Sequence, residues 1–463
     1  MLPLALLLLA AAPVAAPPSL SSRIDAILRD HRGYWGIHVL KLSSGQTLYE
    51  KCANCYFLPA SNTKLYSTAF ALSRLGRDHR FRTIVAADQA PDSNGTLRGS
   101  LRVIGSGDPT FSRRAYPYSR HSAILPNISA LEDLADQIAA TGLTRVEGDL
   151  IGDDTAWAWE PSPDGWSHDD FTWDYGAPIS ALSLNDNVIN LLIRPGNPGE
   201  PARLTFTPAL EYFTVDNRIE TTAAGSRDIR VVRMPGSRQL LLTGRMPLGS
   251  AWQGDLAVDD PAQYFAEALK LALEQRGITF SGRATARHRS PANPVFPQPP
   301  AHIVTQRASP PVADILTIVN KVSQNQVAEI MMRAAGGLEA MRQWLAASAG
   351  ISRSEFRFED GSGLSRLTQT TPRASTQLLA RMANNEDFLA TLPIGGIDGS
   401  LARRALPRVK AKTGGMTGVN TLSGYIDSRR HGRLAFSIMV NNDPNYYAAT
   451  SAYIDRVVML LSE

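Results

Sequence analysis

Two cysteines in 463 residues are too few to staple a fold of this size. Cys52 and Cys55 stand as C-x-x-C with no histidine or further cysteine at metal-ligand spacing, so they make no zinc site. A short local disulfide and a pair of free thiols both stay open, and neither makes them catalytic. Histidine is also sparse. The eight histidines are dispersed and no G-x-S-x-G elbow occurs, which leaves a Ser-His-Asp hydrolase without its base. Beyond residues 1–16 no apolar run is long enough to cross a membrane. That first run is itself too short to span and ends in the small residues Ala15 and Ala16, so it reads as a cleaved signal peptide, although no Lys or Arg precedes it and Pro17 follows. No cysteine follows it to carry a lipid anchor. The charge is mildly basic, +4 with a pI near 9.0. Basic residues are scattered, and no nucleic-acid motif is present, which excludes nucleic acid as a partner and leaves weak peripheral attraction to anionic polymers at most.

Three short motifs carry the chemistry: Ser61-Asn-Thr-Lys64, Ser323-Gln-Asn325 and Lys412-Thr413-Gly414. Around the first, Pro59 suits a helix start, Leu65, Ala69, Leu72 and Leu75 recur at helical spacing, and Gly76 marks the end. Ser61 is therefore predicted in the first helical turn, with Lys64 on the same face. A hydroxyl is a poor nucleophile until a base takes its proton. A lysine kept neutral by burial and nearby positive charge can do so, and the helix N-terminus offers amides to an oxyanion.

The third motif precedes a hairpin, with strands expected near Thr421–Ile426 and Leu434–Val440 and a polar turn between. Lys412 and Thr413 supply a charge and a hydroxyl suited to a substrate carboxylate. Gly414 and Gly415 remove side chains, so an extended peptide can lie along the strand, and the Gly415 amide is a candidate second oxyanion donor. S-x-N has a rival copy at Ser183-Leu-Asn185. Ser323 and Asn325 are favoured because they fall between two helical segments, where a hydroxyl can relay a proton and an amide can grip a peptide. The earlier copy reads as a structural turn.

On these motifs, and on GSGDPTF from Gly105, DDTAW from Asp153, DGSGLSR from Asp360 and LPIGGIDGSL from Leu392, the chain resembles the class C low-molecular-mass penicillin-binding proteins. These are D-alanyl-D-alanine carboxypeptidase/endopeptidases of bacterial cell-wall metabolism. The separation of 262 positions from Ser61 to Ser323 fits that branch and not a compact β-lactamase. The resemblance implies an α/β (α+β) fold, a penicillin-recognising, β-lactamase-like catalytic domain with a large, mostly β insert. It implies acylation of Ser61 by peptidoglycan stem peptides, cross-links and β-lactam antibiotics, without metal or cofactor, in the periplasm. It also implies a pocket for the diaminopimelate side chain made by Asp154 or its neighbour Asp153, with Arg366 and Met416. A serine β-lactamase and a non-catalytic wall-binding protein of the same fold are the alternatives.

The expected organisation is a signal peptide at 1–16, a first catalytic part at 19–86, an insert at 87–260 and a second catalytic part at 261–463. Helical periodicity returns at PAQYFAEALKLALEQRG, the proline-rich stretch from Ser290 reads as an irregular connection, and the last residues read as a helix packed on a sheet.

Overall fold

The computed structural model of the chain describes residues 19–121, 124–290, 302–445 and 447–463. The expected signal peptide and nearly all of the proline-rich connection lie outside the described residues.

One five-stranded antiparallel sheet runs in the order Val409–Met416, Val419–Ser428, Gly432–Asn441, Tyr34–Lys41 and Gln46–Lys51. Its strands come from both ends of the chain, so the N-terminal hairpin is completed only by the last residues. The inner strands are covered on both faces; in Val419–Ser428 every residue but Asp427 is buried. Side chains alternate between the two layers. Leu422, Ile426, Phe436 and Ile438 meet Ile24, Leu28, Ile454 and Val458 from helices Leu20–Leu28 and Tyr447–Ser462. Tyr425 and Ala435 face the other way, into a helical layer.

That layer centres on helix Thr63–Leu75, whose residues from Thr63 to Leu72 are all buried. Helices Val312–Lys321, Asn325–Ala334, Gly337–Ala347 and Pro372–Met382 enclose it. Each large apolar side chain sealed there, such as Leu65 or Phe70, contributes roughly 1.5–3 kcal/mol relative to exposure. Gly76 ends the helix in the left-handed region at φ 82°, as its position predicts. The start differs from expectation. Ala60–Asn62 forms a 3₁₀ turn, so Ser61 sits just before the α-helix rather than in its first turn.

A second five-stranded sheet belongs to the insert, in the order Ala284–Arg289, Leu150–Ala158, Leu101–Ile104, Arg82–Ala87 and His302–Ala308. Helices Ser129–Ala139 and Pro261–Glu274 pack on it, bringing Leu134, Ile138, Phe265 and Leu269 against Val85, Val103 and Leu150. Two three-stranded sheets enclose a smaller core of Leu191, Ile219, Leu242 and Leu256.

Arg82–Ala87, just before the expected start of the insert, pairs with both Leu101–Ile104 and His302–Ala308, and Pro261–Glu274, just after its expected end, packs on this same sheet. An apolar helical stripe marks a face to be buried without naming the sheet that buries it.

Cys52 and Cys55 are joined as a disulfide on the approach to Ser61.

Candidate active site

The turn that carries Ser61 is held from three directions. Thr421 Oγ1 donates to the Pro59 carbonyl at 2.9 Å, Asn62 Nδ2 donates to Ser423 Oγ at 2.8 Å, and the Leu58 amide donates to Asn441 Oδ1 at 2.8 Å. Ala60 adopts φ 46°, an uncommon left-handed conformation for a residue with a side chain. The strand Val409–Met416 passes so closely that a Cβ on Gly414 would lie 2.7 Å from the Pro59 oxygen and 3.0 Å from the Ser61 nitrogen. Glycine is required there by the close approach of two backbones.

Lys64 is fully buried beside that turn. Its Nζ donates to Asn325 Oδ1 at 2.6 Å and to the Ser362 carbonyl at 2.8 Å, and lies 2.9 Å from Ser61 Oγ. Burial draws its pKa down to about 7, against the opposite pull of Asp360 and Glu329. Asn325 is anchored in turn, its Nδ2 donating to the Tyr175 carbonyl at 2.8 Å.

Ser323 occupies the junction between helices Val312–Lys321 and Asn325–Ala334 at φ 65°. Lys412, fully buried in the opposite wall, donates to Ser323 Oγ at 2.9 Å and to the Thr413 carbonyl at 2.8 Å. Burial, reinforced by Lys64, holds the Lys412 amine well below the usual lysine range. Thr413 Oγ1 lies 2.7 Å from Ser400 Oγ. The rival Ser183 and Asn185 lie elsewhere: Asn185–Asn187 forms a 3₁₀ turn in the insert, and Ser183 Oγ accepts from Gln326 Nε2 at 3.2 Å.

Ser61 and Ser323 border two lobes of one cleft. The larger, of about 850 Å³, extends along Thr413 to Asn420 towards Asp443 and Tyr447. The smaller, of about 380 Å³, is bounded by Asp170, Tyr175, Asn325, Leu364, Arg366 and Met416. Gly415 and Met416 border both.

The expected aspartates lie away from this cleft. Asp154 is buried inside the insert, where it accepts from Ser180 Oγ at 2.9 Å and pairs with His288 Nδ1 at 2.9 Å. Burial opposes the charge on His288, but its hydrogen bonds to Asp154 and Asp260 outweigh this and raise it to about 10. Asp153 is buried too and accepts from the Thr155 amide and hydroxyl. Both acids lie on strand Leu150–Ala158 within the insert's sheet, and neither lines the cleft. The acid that shares a lobe with Arg366 and Met416 is Asp170, in a 3₁₀ turn at Asp170–Thr172. Burial pushes its carboxyl above the ordinary range. Asp170, Tyr175 and Ser400 were not marked by the motifs. The only sequence signal for Asp170 is the acidic, aromatic run HDDFTWDY, which has no chemistry-specific spacing.

The pattern of the D-Ala-D-Ala carboxypeptidase 3 (S13) family matches residues 20–463. The chain belongs to that family. This S13 protein is a serine D-Ala-D-Ala carboxypeptidase, a relative of the class C low-molecular-mass penicillin-binding proteins. It is 33% identical over 497 aligned positions to the D-alanyl-D-alanine carboxypeptidase of Actinomadura sp. (strain R39), covering 98% of this chain and 88% of that one. In fold, the S13 carboxypeptidase is similar to penicillin binding protein 4 (dacB) from Haemophilus influenzae. That likeness has a TM-score of 0.79 at 23% identity over 94% of this chain and 97% of that one. A penicillin G-acylated predatory endopeptidase from Bdellovibrio bacteriovorus shares the fold, with a TM-score of 0.53 at 18% identity over 93% of each chain.

Proposed function

We propose that Ser61 is the nucleophile of this carboxypeptidase and Lys64 its general base. The observation that carries the reading is the hydrogen-bond geometry at Lys64. A neutral amine has two hydrogens and one lone pair. Asn325 Oδ1 and the Ser362 carbonyl take the two hydrogens, which leaves the lone pair for Ser61 Oγ. With its pKa near 7, Lys64 is substantially neutral at neutral pH.

The Ser61 hydroxyl proton passes to Lys64 as Oγ bonds the penultimate D-alanine carbonyl carbon. The amides of Ser61 and Gly415 receive the oxyanion. The peptide C–N bond then breaks, and the departing D-alanine nitrogen takes a proton through Ser323, whose hydroxyl is held by Lys412. Water hydrolyses the acyl-enzyme and releases the shortened stem. Thr413 and Lys412 favour the substrate's terminal carboxylate, while Asn325 and the exposed edge of strand Val409–Met416 grip its backbone.

The smaller lobe takes the side chain of a diaminopimelate-type stem. Arg366 pairs with its carboxylate, Asp170 takes its ammonium and Met416 contacts its methylenes. The larger lobe has room for a second stem, which supports endopeptidase cleavage of cross-links. β-Lactams acylate the same serine. A disulfide just upstream of Ser61 supports an oxidising location, the periplasm, reached through the N-terminal signal peptide.

The test measures D-alanine released from a diaminopimelate-containing pentapeptide by wild type and Ser61→Ala. Release is expected from the wild type alone. Equal release from both would sink the nucleophile assignment.

A further inference from the structure

One turn beyond Asn325 on the same helix, Glu329 is fully buried behind Lys64. Its Oε1 accepts the amides of Gly361 at 2.9 Å and Ser362 at 2.8 Å. The carbonyl of that same Ser362 is the second acceptor for Lys64 Nζ. The loop is pinned elsewhere as well. Asp360 Oδ2 accepts from Ser362 Oγ and the Ser365 amide, each at 2.9 Å, and Ser67 Oγ donates to the Gly361 carbonyl at 2.7 Å. Glu329 Oε2 has no hydrogen-bond partner among the described residues. The residue also borders a rear cavity of about 600 Å³ with Trp157, Glu160, Asp164 and Arg333.

We propose that Glu329 is a positioning residue for the catalytic lysine. It fixes the 361–362 amides so that the Ser362 carbonyl receives one Lys64 hydrogen, and its charge tunes the pH at which Lys64 becomes a base. The proposal rests on the reading of Lys64 as the base of Ser61. One helix then controls the amine twice, through Asn325 directly and through Glu329 by way of the loop. If the Ser362 carbonyl swings away, the amine can rotate and its lone pair leaves Ser61.

The charges around Glu329 are Lys64 on the nucleophile helix, Asp360 on the loop, and Arg333 on its own helix. Lys412 lies beyond Lys64 on the edge strand, and Glu160 lies across the cavity. Burial and then Asp360 push the Glu329 carboxyl up to about 7, against the pull of Arg333. Lys64 and Glu329 therefore titrate in one range and influence each other. An ionised Glu329 favours the ammonium form of Lys64, so removing that charge moves the appearance of the free base to lower pH.

The experiment measures second-order acylation by a fluorescent penicillin across the pH range for wild type, Glu329→Gln and Glu329→Ala. The glutamine oxygen can still accept both amides, so its plateau rate should stay within about threefold of wild type. Its acid limb should move down by roughly half a pH unit or more. The alanine variant leaves the loop untied and should lose about thirtyfold in plateau rate, with KM for the pentapeptide little changed. An unshifted limb in Glu329→Gln overturns the charge role, and a wild-type rate in Glu329→Ala overturns the positioning role. Equal losses in both variants with no shift mark a purely structural residue. If the alanine variant does not fold, the glutamine profile decides. Turnover surviving in Lys64→Met would instead sink the parent reading of the lysine base.

Discussion

Lowering the pH from about 9 to about 5 should switch off acylation of Ser61 along a limb centred near 7. An unperturbed lysine would place that limb at 10.5; burial of the amine brings it down, while Asp360 and Glu329 resist. The displacement corresponds to about 5 kcal/mol of differential interaction between the two protonation states. At pH 7 it makes about half of the Lys64 amines neutral, against about one in 3,000 for an unperturbed lysine. The sign follows from the mechanism. In the proposed mechanism the neutral amine takes the serine proton, so the rate falls on the acid side, about tenfold per pH unit once below the limb. At pH 5 roughly 1% of the plateau rate should remain. The assay is the second-order rate of labelling by a fluorescent penicillin, which reads acylation without deacylation, with circular dichroism confirming the fold at each pH. A profile flat from about 5 to 9, or a limb beginning only above about 9.5, would refute the neutral-lysine argument.

Asp154→Asn should leave selectivity for the diaminopimelyl side chain intact while lowering stability, because it disturbs the buried pair with His288. Loss of a buried partner costs about 3–5 kcal/mol at most, read by urea unfolding. Asp170→Asn should behave oppositely, keeping stability and reducing kcat/KM for the diaminopimelyl stem, relative to a neutral-side-chain stem, by about tenfold or more. Exchanged outcomes would return the pocket to Asp154. Gly414→Ala places a Cβ 2.3 Å from Thr421 Oγ1 and 3.0 Å from the Ser61 nitrogen. Displacement of the Ser61 turn should cut acylation by about 100-fold, measured by the same labelling assay, whereas unchanged labelling would mean that the turn yields freely.

The three motifs were legible because each is a short-range feature with its own chemistry. Ser61 and Lys64 share one turn of chain, and Lys412, Thr413 and Gly414 are consecutive. The helix ending at Gly76 and the hairpin of strands Val419–Ser428 and Gly432–Asn441 were visible for the same reason, since periodicity and turn residues act locally. The surroundings of Asp153 and Asp154 were not legible, because two adjacent acids near a family-like stretch look available in sequence. In the fold their strand lies inside a sheet, and Ser180, His288 and Thr155 occupy both carboxylates. The position of Asp170 beside Arg366 and Met416 was not legible, because a 3₁₀ turn in an irregular segment has no period to announce which way a side chain faces.

By itself, the sequence determined the family, the three motifs and the long separation between the first two. These depend on residue types at fixed local spacing and on the length between them. Only the tertiary structure decided that Arg82–Ala87 joins the sheet of Leu101–Ile104 and His302–Ala308, since sheet membership is settled by pairing between distant segments. It also brought Asn325 and the Ser362 carbonyl to Lys64 from 261 and 298 residues away. The protonation state of that lysine is a property of its surroundings: a solvated Lys64 stays charged at neutral pH, and only complete enclosure brings its amine into the range where it can serve as a base.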